Sequence, residues 1–121
     1  MDTKLHAEFK KDKFIKINRR FIELTGDNMT GILLTEIVAY FSKANDKLFV
    51  ERENKKWMIR GRKEWRNICS IAEFQYDRSV KILRQMCIVE TKVFKVNGEP
   101  TTHITLNTDN LINLVNDLNK G

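Results

Sequence analysis

Proline is almost missing from this 121-residue chain, and cysteine and histidine occur only twice each. The single proline, together with the lack of any Gly/Ser-rich stretch, repeat or low-complexity tract, leaves no internal boundary, so residues 1–121 read as one domain. Two cysteines, Cys69 and Cys87, are too few for a disulfide framework and have no histidines close by for a zinc site. They are expected to be reduced, mostly buried thiols in a cytoplasmic protein. His6 and His103 lie far apart with no cysteine or carboxylate at ligand spacing, so no metal is expected. No apolar run approaches the ~20 residues needed to cross a bilayer. The charged N-terminal stretch MDTKLHAEFKKDK has no apolar segment behind it, unlike a secretory signal. A glycine-rich phosphate loop is also missing, and Glu51, Glu53 and Glu64 form no convincing catalytic pair. These absences argue against an enzyme, a cofactor and a small-molecule substrate.

What is present is positive charge in blocks. The net charge is +6, with 41% hydrophobic and 31% charged residues, as in a globular domain. Residues 1–20 hold seven Lys/Arg against three Asp/Glu, and residues 51–66 repeat that balance. Residues 76–95 hold five against two. Clustered charge of one sign raises the local potential and favours a polyanionic partner, although a solvated basic surface would look the same.

The apolar periodicity gives an α+β order. Residues 1–13 read as a flexible basic arm. Phe14-Ile15-Lys16-Ile17 alternates like a short strand, and Asn18 can cap a helical turn through Leu24. Thr25-Gly26-Asp27-Asn28 is a turn by composition. Ile32, Leu33, Ile37, Val38, Tyr40 and Phe41 predict a core helix over 29–43, ended by Asn45-Asp46. Leu48-Phe49-Val50 and Trp57-Met58-Ile59 flank the polar 51–56, which predicts a hairpin with a longer loop. Residues 62–69 predict a short helix with Trp65, Ile68 and Cys69 inward, and residues 70–74 a connector. A helix over 76–87 places Val80, Leu83, Met86 and Cys87 on one face. The alternating run 89–96, Asn97-Gly98 and the return run 101–106 form a β-hairpin, because Asn-Gly suits the positive φ of a type I′ turn. Thr108 is expected to cap a last helix over 108–119, with Leu111, Leu114, Val115 and Leu118 in one stripe.

A short helix, a second helix and then a hairpin is the order of a winged helix-turn-helix. Such a helix pair offers one exposed helix to the major groove, about 12 Å wide, while the hairpin reaches the adjacent backbone. The expected exposed face of the second helix carries Tyr76, Arg78, Lys81, Arg84 and Gln85, residue types that reach phosphates and base edges. The hairpin adds Lys92 and Lys95, and residues 60–66 add Arg60, Arg62, Lys63 and Arg66. Trp57 and Trp65 are expected as core anchors.

Certain runs carry a family likeness: Ile32 to Ile37 (ILLTEI), Lys55 to Arg60 (KKWMIR), Glu64-Trp65, and Asp77 to Glu90 (DRSVKILRQMCIVE). They resemble the winged-helix domain near the N-terminus of Firmicutes phage and plasmid replication initiators, the replisome-organiser or DnaD-like proteins. In that family the second helix ends in a Leu-x-x-x-Gly-Leu-Ile-Glu pattern, and a hairpin closes in Tyr-x-Ile-Asn. Here Cys87 stands in place of the glycine, so the helix end needs a different cap, and His103 in place of the aromatic. The likeness covers about residues 14–110. It implies a double-stranded-DNA binder serving replication initiation, or its control, on a mobile element. Such initiators usually carry a second domain for assembly or helicase loading, which implies that this chain is an isolated domain or a short stand-alone relative.

Two other functions fit the same pattern. A transcriptional repressor would pair two subunits on a palindromic operator, with Leu111, Leu114, Val115 and Leu118 as the dimer seam. A protein-interaction winged helix would dock on a replication protein through an exposed apolar patch on the C-terminal helix. The same stripe packed back on the body would serve neither.

Overall fold

The computed structural model describes residues 3–43, 47 and 49–120, and it is a mixed α+β fold. The chain runs α1 (Thr3–Phe9), α2 (Arg19–Thr25), α3 (Asn28–Ser42), β1 (Phe49–Arg52), β2 (Lys55–Ile59), α4 (Arg62–Cys69), α5 (Glu73–Gln85), β3 (Val89–Val96), β4 (Glu99–Leu106) and α6 (Thr108–Lys120). Within the stretch expected as a flexible arm, α1 forms a short helix none of whose residues is buried. Residues 14–17 are not the expected strand. Among the described residues the strands pair only with one another, and this segment joins no ladder.

Side-chain caps set the helical half. Asn18 Oδ1 accepts the Arg20 N–H at 3.0 Å and opens α2, as its sequence suggests. Gly26, at φ 69°, closes it in the left-handed region. Asp27 then caps α3, its Oδ2 accepting from the Thr30 N–H at 3.0 Å and the Thr30 hydroxyl at 2.6 Å. The two helices approach closely at Gly31, where a Cβ would fall 2.5 Å from Ile22 Cγ1 and 2.8 Å from the Ile22 backbone. Leu33, Leu34 and Ile37 carry α3 into the core. The expected stop at Asn45-Asp46 lies outside the described residues.

The Thr30 hydroxyl, then the Thr30 backbone N–H and the Arg78 ion pair, hold the Asp27 carboxyl below its ordinary pKa against the opposing effect of burial. A carboxylate with a depressed folded pKa stabilises the fold above its unfolded value, roughly 3.9, and that contribution is lost as pH falls through the folded value. Thermal unfolding from pH 5 to pH 2.5 should therefore show a smaller acid-induced loss of Tm for Asp27→Asn than for the parent. At neutral pH the variant should be the less stable, by about 0.5–1 kcal/mol, from loss of the negative charge at the α3 N-terminus and opposite Arg78. Equal acid sensitivity of the two proteins would contradict this assignment.

The four strands among the described residues form one antiparallel sheet in the order β1-β2-β4-β3. The β1–β2 connection is tighter than the expected longer loop. Glu53 and Asn54 make a two-residue turn at φ 54° and 61°, and Glu51 and Arg52 pair with Lys56 and Lys55 across it. The Glu51–Lys56 pair sets opposite charges face to face, which lets the strands continue through a polar stretch. Asn97-Gly98, at φ 52° and 82°, turns the β3–β4 hairpin where expected. Met58↔Ile104 and Ile59↔His103 join the two hairpins.

One sheet face meets the helices. Met58, Ile104 and Val89 pack with Leu33, Leu34, Ile37, Trp65, Ile71, Leu83 and Ile88. On the opposite face a smaller cluster closes over Trp57 and His103, both fully buried. The Phe94 ring meets Trp57 edge-on at 5.4 Å and His103 at 5.0 Å, with Arg52 over it at 5.1 Å. His103 therefore fills the place of an aromatic. Its Nδ1 lies 2.9 Å from the Thr101 carbonyl.

Helix α6 is capped by Asn107, not by the expected Thr108: Asn107 Oδ1 accepts from the Asn110 N–H at 3.1 Å. Leu111 and Val115 are buried in the core, Leu114 packs against it, and Leu118 is half-buried. The stripe that could have formed a dimer seam thus packs back on the body. No described helix is long and apolar enough to cross a membrane.

Candidate nucleic-acid interface

Helix α5 is held at both ends. Ser70, at φ 57°, ends α4, and residues 70–72 connect it to α5, a shorter link than the expected 70–74. Ile71 within that link is fully buried. Gln75 reaches back so that its Oε1 accepts from the Ala72 N–H at 2.9 Å. At the other end the Ile88 N–H donates to Leu83 O at 2.9 Å and the Cys87 N–H to Arg84 O at 3.0 Å, a Schellman cap. Asn110 Nδ2 adds bonds to the Met86 and Cys87 carbonyls, at 3.1 and 2.9 Å.

Cys87 occupies the left-handed position of that cap at φ 58° and is exposed, so it is neither on the apolar face of α5 nor a buried thiol. Cys69 is buried, and burial pushes its thiol pKa up. A cysteine in the left-handed region costs about 1–2 kcal/mol relative to a residue without a Cβ. Part of that is offset by the greater unfolded-state freedom of glycine. Cys87→Gly is expected to raise stability by about 0.5–1 kcal/mol, read as a Tm increase of a few degrees. A lower Tm would show that the thiol makes a contribution the cap geometry does not explain.

Between α4, α5 and the β3–β4 hairpin runs a groove of about 1240 Å³. Its cations are Arg60, Arg62, Lys63, Lys81, Arg84 and Lys92, and its acids are Glu64, Glu73 and Asp77. Lys63, Lys81, Arg84 and the neighbouring Lys95 have no ion-pair partner among the described residues, so their charge is directed at solvent. Arg62 Nε lies 2.8 Å from Asp77 Oδ1, a half-exposed pair across α4 and α5. Such pairs contribute only about 0–1 kcal/mol, so a phosphate can compete for the arginine. Arg60 stacks its guanidinium over the Tyr40 ring at 4.4 Å and near the Trp65 ring at 5.5 Å, which fixes it at the groove margin.

The groove gathers some of the expected residues and not others. Arg62, Lys63, Lys81 and Arg84 line it. Gln85 is exposed on α5 beyond the lining. Lys95 lies on the same side of β3 as Thr91 and Val93, which do line the groove, and extends that row towards the turn. Arg66 is exposed on α4 outside the lining.

Three residues sit otherwise than expected. Tyr76 was expected to be exposed, but it is packed against the core and stacked on Trp65 at 6.5 Å, and burial pushes its phenol pKa up. Arg78 is exposed, but its guanidinium is engaged by Asp27 at 2.8 Å and does not line the groove. Lys92 borders the groove, yet its ammonium lies 3.0 Å from Glu53 and 3.8 Å from Glu90, so its charge is locally balanced.

Sequence reasoning placed Phe74 in the connector. It is in the first turn of α5 and 74% exposed. Extending the helical spacing back from Arg78 and Lys81 would have reached it. The hydroxyl-bearing Thr101 and Thr102 also line the groove.

No family model matches the chain, and no curated protein or solved structure gives a significant match to it.

Proposed function

We propose that this chain is a winged-helix module that binds double-stranded DNA, with α4 and α5 as the helix-turn-helix and β3–β4 as the wing. The observation that carries the reading is the groove between α5 and the hairpin, where Lys63, Lys81 and Arg84 present unpaired charge. A helix seated in the major groove would place those cations, all on α4 and α5, at the phosphates that border it, with the hairpin along the flanking backbone. The capped, core-packed ends of α5 make it a rigid element, which keeps the ordering cost of binding low. The likeness to mobile-element replication initiators in residues 14–110 makes replication initiation, or its control, the process we assign to it.

Docking on a replication protein is the second reading. One observation favours it: Leu5, Phe9 and Phe14 are exposed by half or more. Most of that apolar surface lies at the N-terminal end; on α6, where it was expected, Ile112 is the exposed large hydrophobic, at 51%. Fluorescence anisotropy of a labelled duplex, titrated at several salt concentrations, separates the two. DNA binding predicts a log K that falls linearly with log salt, at ~0.9 per phosphate contacted. Absence of duplex binding at low salt would sink the first reading and leave the second.

A further inference from the structure

We propose that Phe74 is a base-reading residue that packs on the 5-methyl group of thymine in the major groove. The proposal rests on the DNA-binding reading and adds to it a source of sequence preference that basic residues alone do not supply. Phe74 is 74% exposed on a helix that otherwise turns its large apolar side chains inward. Fraying does not account for this. The backbone beneath it is fixed by the Gln75–Ala72 bond, and it is flanked by the buried Ile71 and by Tyr76 stacked on Trp65. Four, seven and eleven residues on, at helical spacing, stand the exposed Arg78, Lys81 and Gln85, so the ring heads a polar, basic stripe.

The composition of that stripe selects the occupant. An apolar groove on a protein partner would have to desolvate Arg78 and Lys81 in order to cover the ring. A duplex offers a phosphate to Lys81, whose charge is unpaired among the described residues, and an apolar group to the ring at once. Thymine is the one base that presents a methyl in the major groove, and phenylalanine is among the side chains that contact it. The N-terminal residues of a major-groove helix are also those that reach base edges. The adjacent Glu73 is exposed and lines the groove. Its charge repels phosphates and favours a seat over base edges, where carboxylates accept from cytosine N4.

The test uses the 121-residue chain and a random duplex library. Sequences enriched by binding are synthesised twice, with thymine and with deoxyuridine, which differ only by the methyl group. Affinities are then read by anisotropy at fixed salt. The parent should bind the deoxyuridine pool roughly three- to tenfold more weakly, as expected when one buried methyl group is removed. Phe74→Ala should bind both pools alike, near the parent's affinity for deoxyuridine, with an unchanged salt slope. Phe74 is exposed, so the variant should keep its fold, and Phe74→Leu should retain part of the discrimination. Equal binding of the two pools by the parent, or undiminished discrimination by Phe74→Ala, overturns the assignment while leaving DNA binding intact. Failure of the parent to bind any duplex overturns both.

Discussion

Trp65→Ala is expected to lose about 3–5 kcal/mol of folding stability, the range for truncating a fully buried large aromatic. The indole is completely buried where three helices meet. It contacts Tyr40 of α3 edge-on at 6.1 Å and stacks with Tyr76 of α5, while Arg60 lies over it from the end of β2. Removing it opens a cavity beneath the segment that sets α4 against α5. A domain of this size has a total stability of about 5–15 kcal/mol, so the variant should be marginal. Urea unfolding followed by circular dichroism reads the loss as a lower midpoint. Trp65→Phe keeps most of the packing and should lose less than half as much. A loss below about 1 kcal/mol for the alanine variant would show that α4 and α5 are held together by something other than this residue.

The parts of this fold visible in the sequence are those written in short-range chemistry. The β-branched alternation of β3 and its Asn97-Gly98 turn give that hairpin almost to the residue, and Asn18 marks the start of α2. Where a cap came from an unexpected residue, the boundary slipped. Ala72 carries no capping oxygen, and its N–H is served from Gln75, so α5 begins three residues before the expected Tyr76 and takes in Phe74. Cys87 adopts the left-handed position without being glycine, so α5 ends at Gln85, two residues before the expected Cys87. Glu53-Asn54 forms a tight turn with no glycine to announce it.

The candidate site was legible as composition and only partly as geometry. The basic residues of α4 and α5 were visible, and four of them line the groove. Which cations are spoken for depends on partners distant in sequence. Glu53 reaches Lys92 across 39 residues, and Asp27 reaches Arg78 from the start of α3. Pairing of that range follows from how the elements pack, and no local pattern encodes it. The burial of Leu111 and Val115 is of the same kind. A narrow apolar stripe fits a dimer seam or a core equally well until the position of α2 against α6 is known.

That position also bears on what the protein does. With Leu111 and Val115 buried in the body, the α6 stripe that the repressor reading needs as its seam is already covered. On the proposed DNA-binding reading, the affinity is expected to come from the groove itself.

Arg62, Lys63, Lys81 and Arg84 should therefore carry most of the affinity. Their joint replacement by alanine is expected to weaken duplex binding at least 100-fold at roughly 0.1 M salt, since each phosphate left without its cation takes ~0.9 from the log–log slope. A control variant, with Lys10, Lys11, Lys13 and Lys16 changed to alanine, removes the same charge from the exposed N-terminal segment. The decisive measurement is the salt dependence of duplex affinity for the parent, the groove variant and this control. The account predicts a slope reduced by roughly 3–4 for the groove variant and a much smaller change for the control. Equal reductions in the two variants would mean that the chain attracts DNA by net charge alone and that α5 and the hairpin are not where it binds.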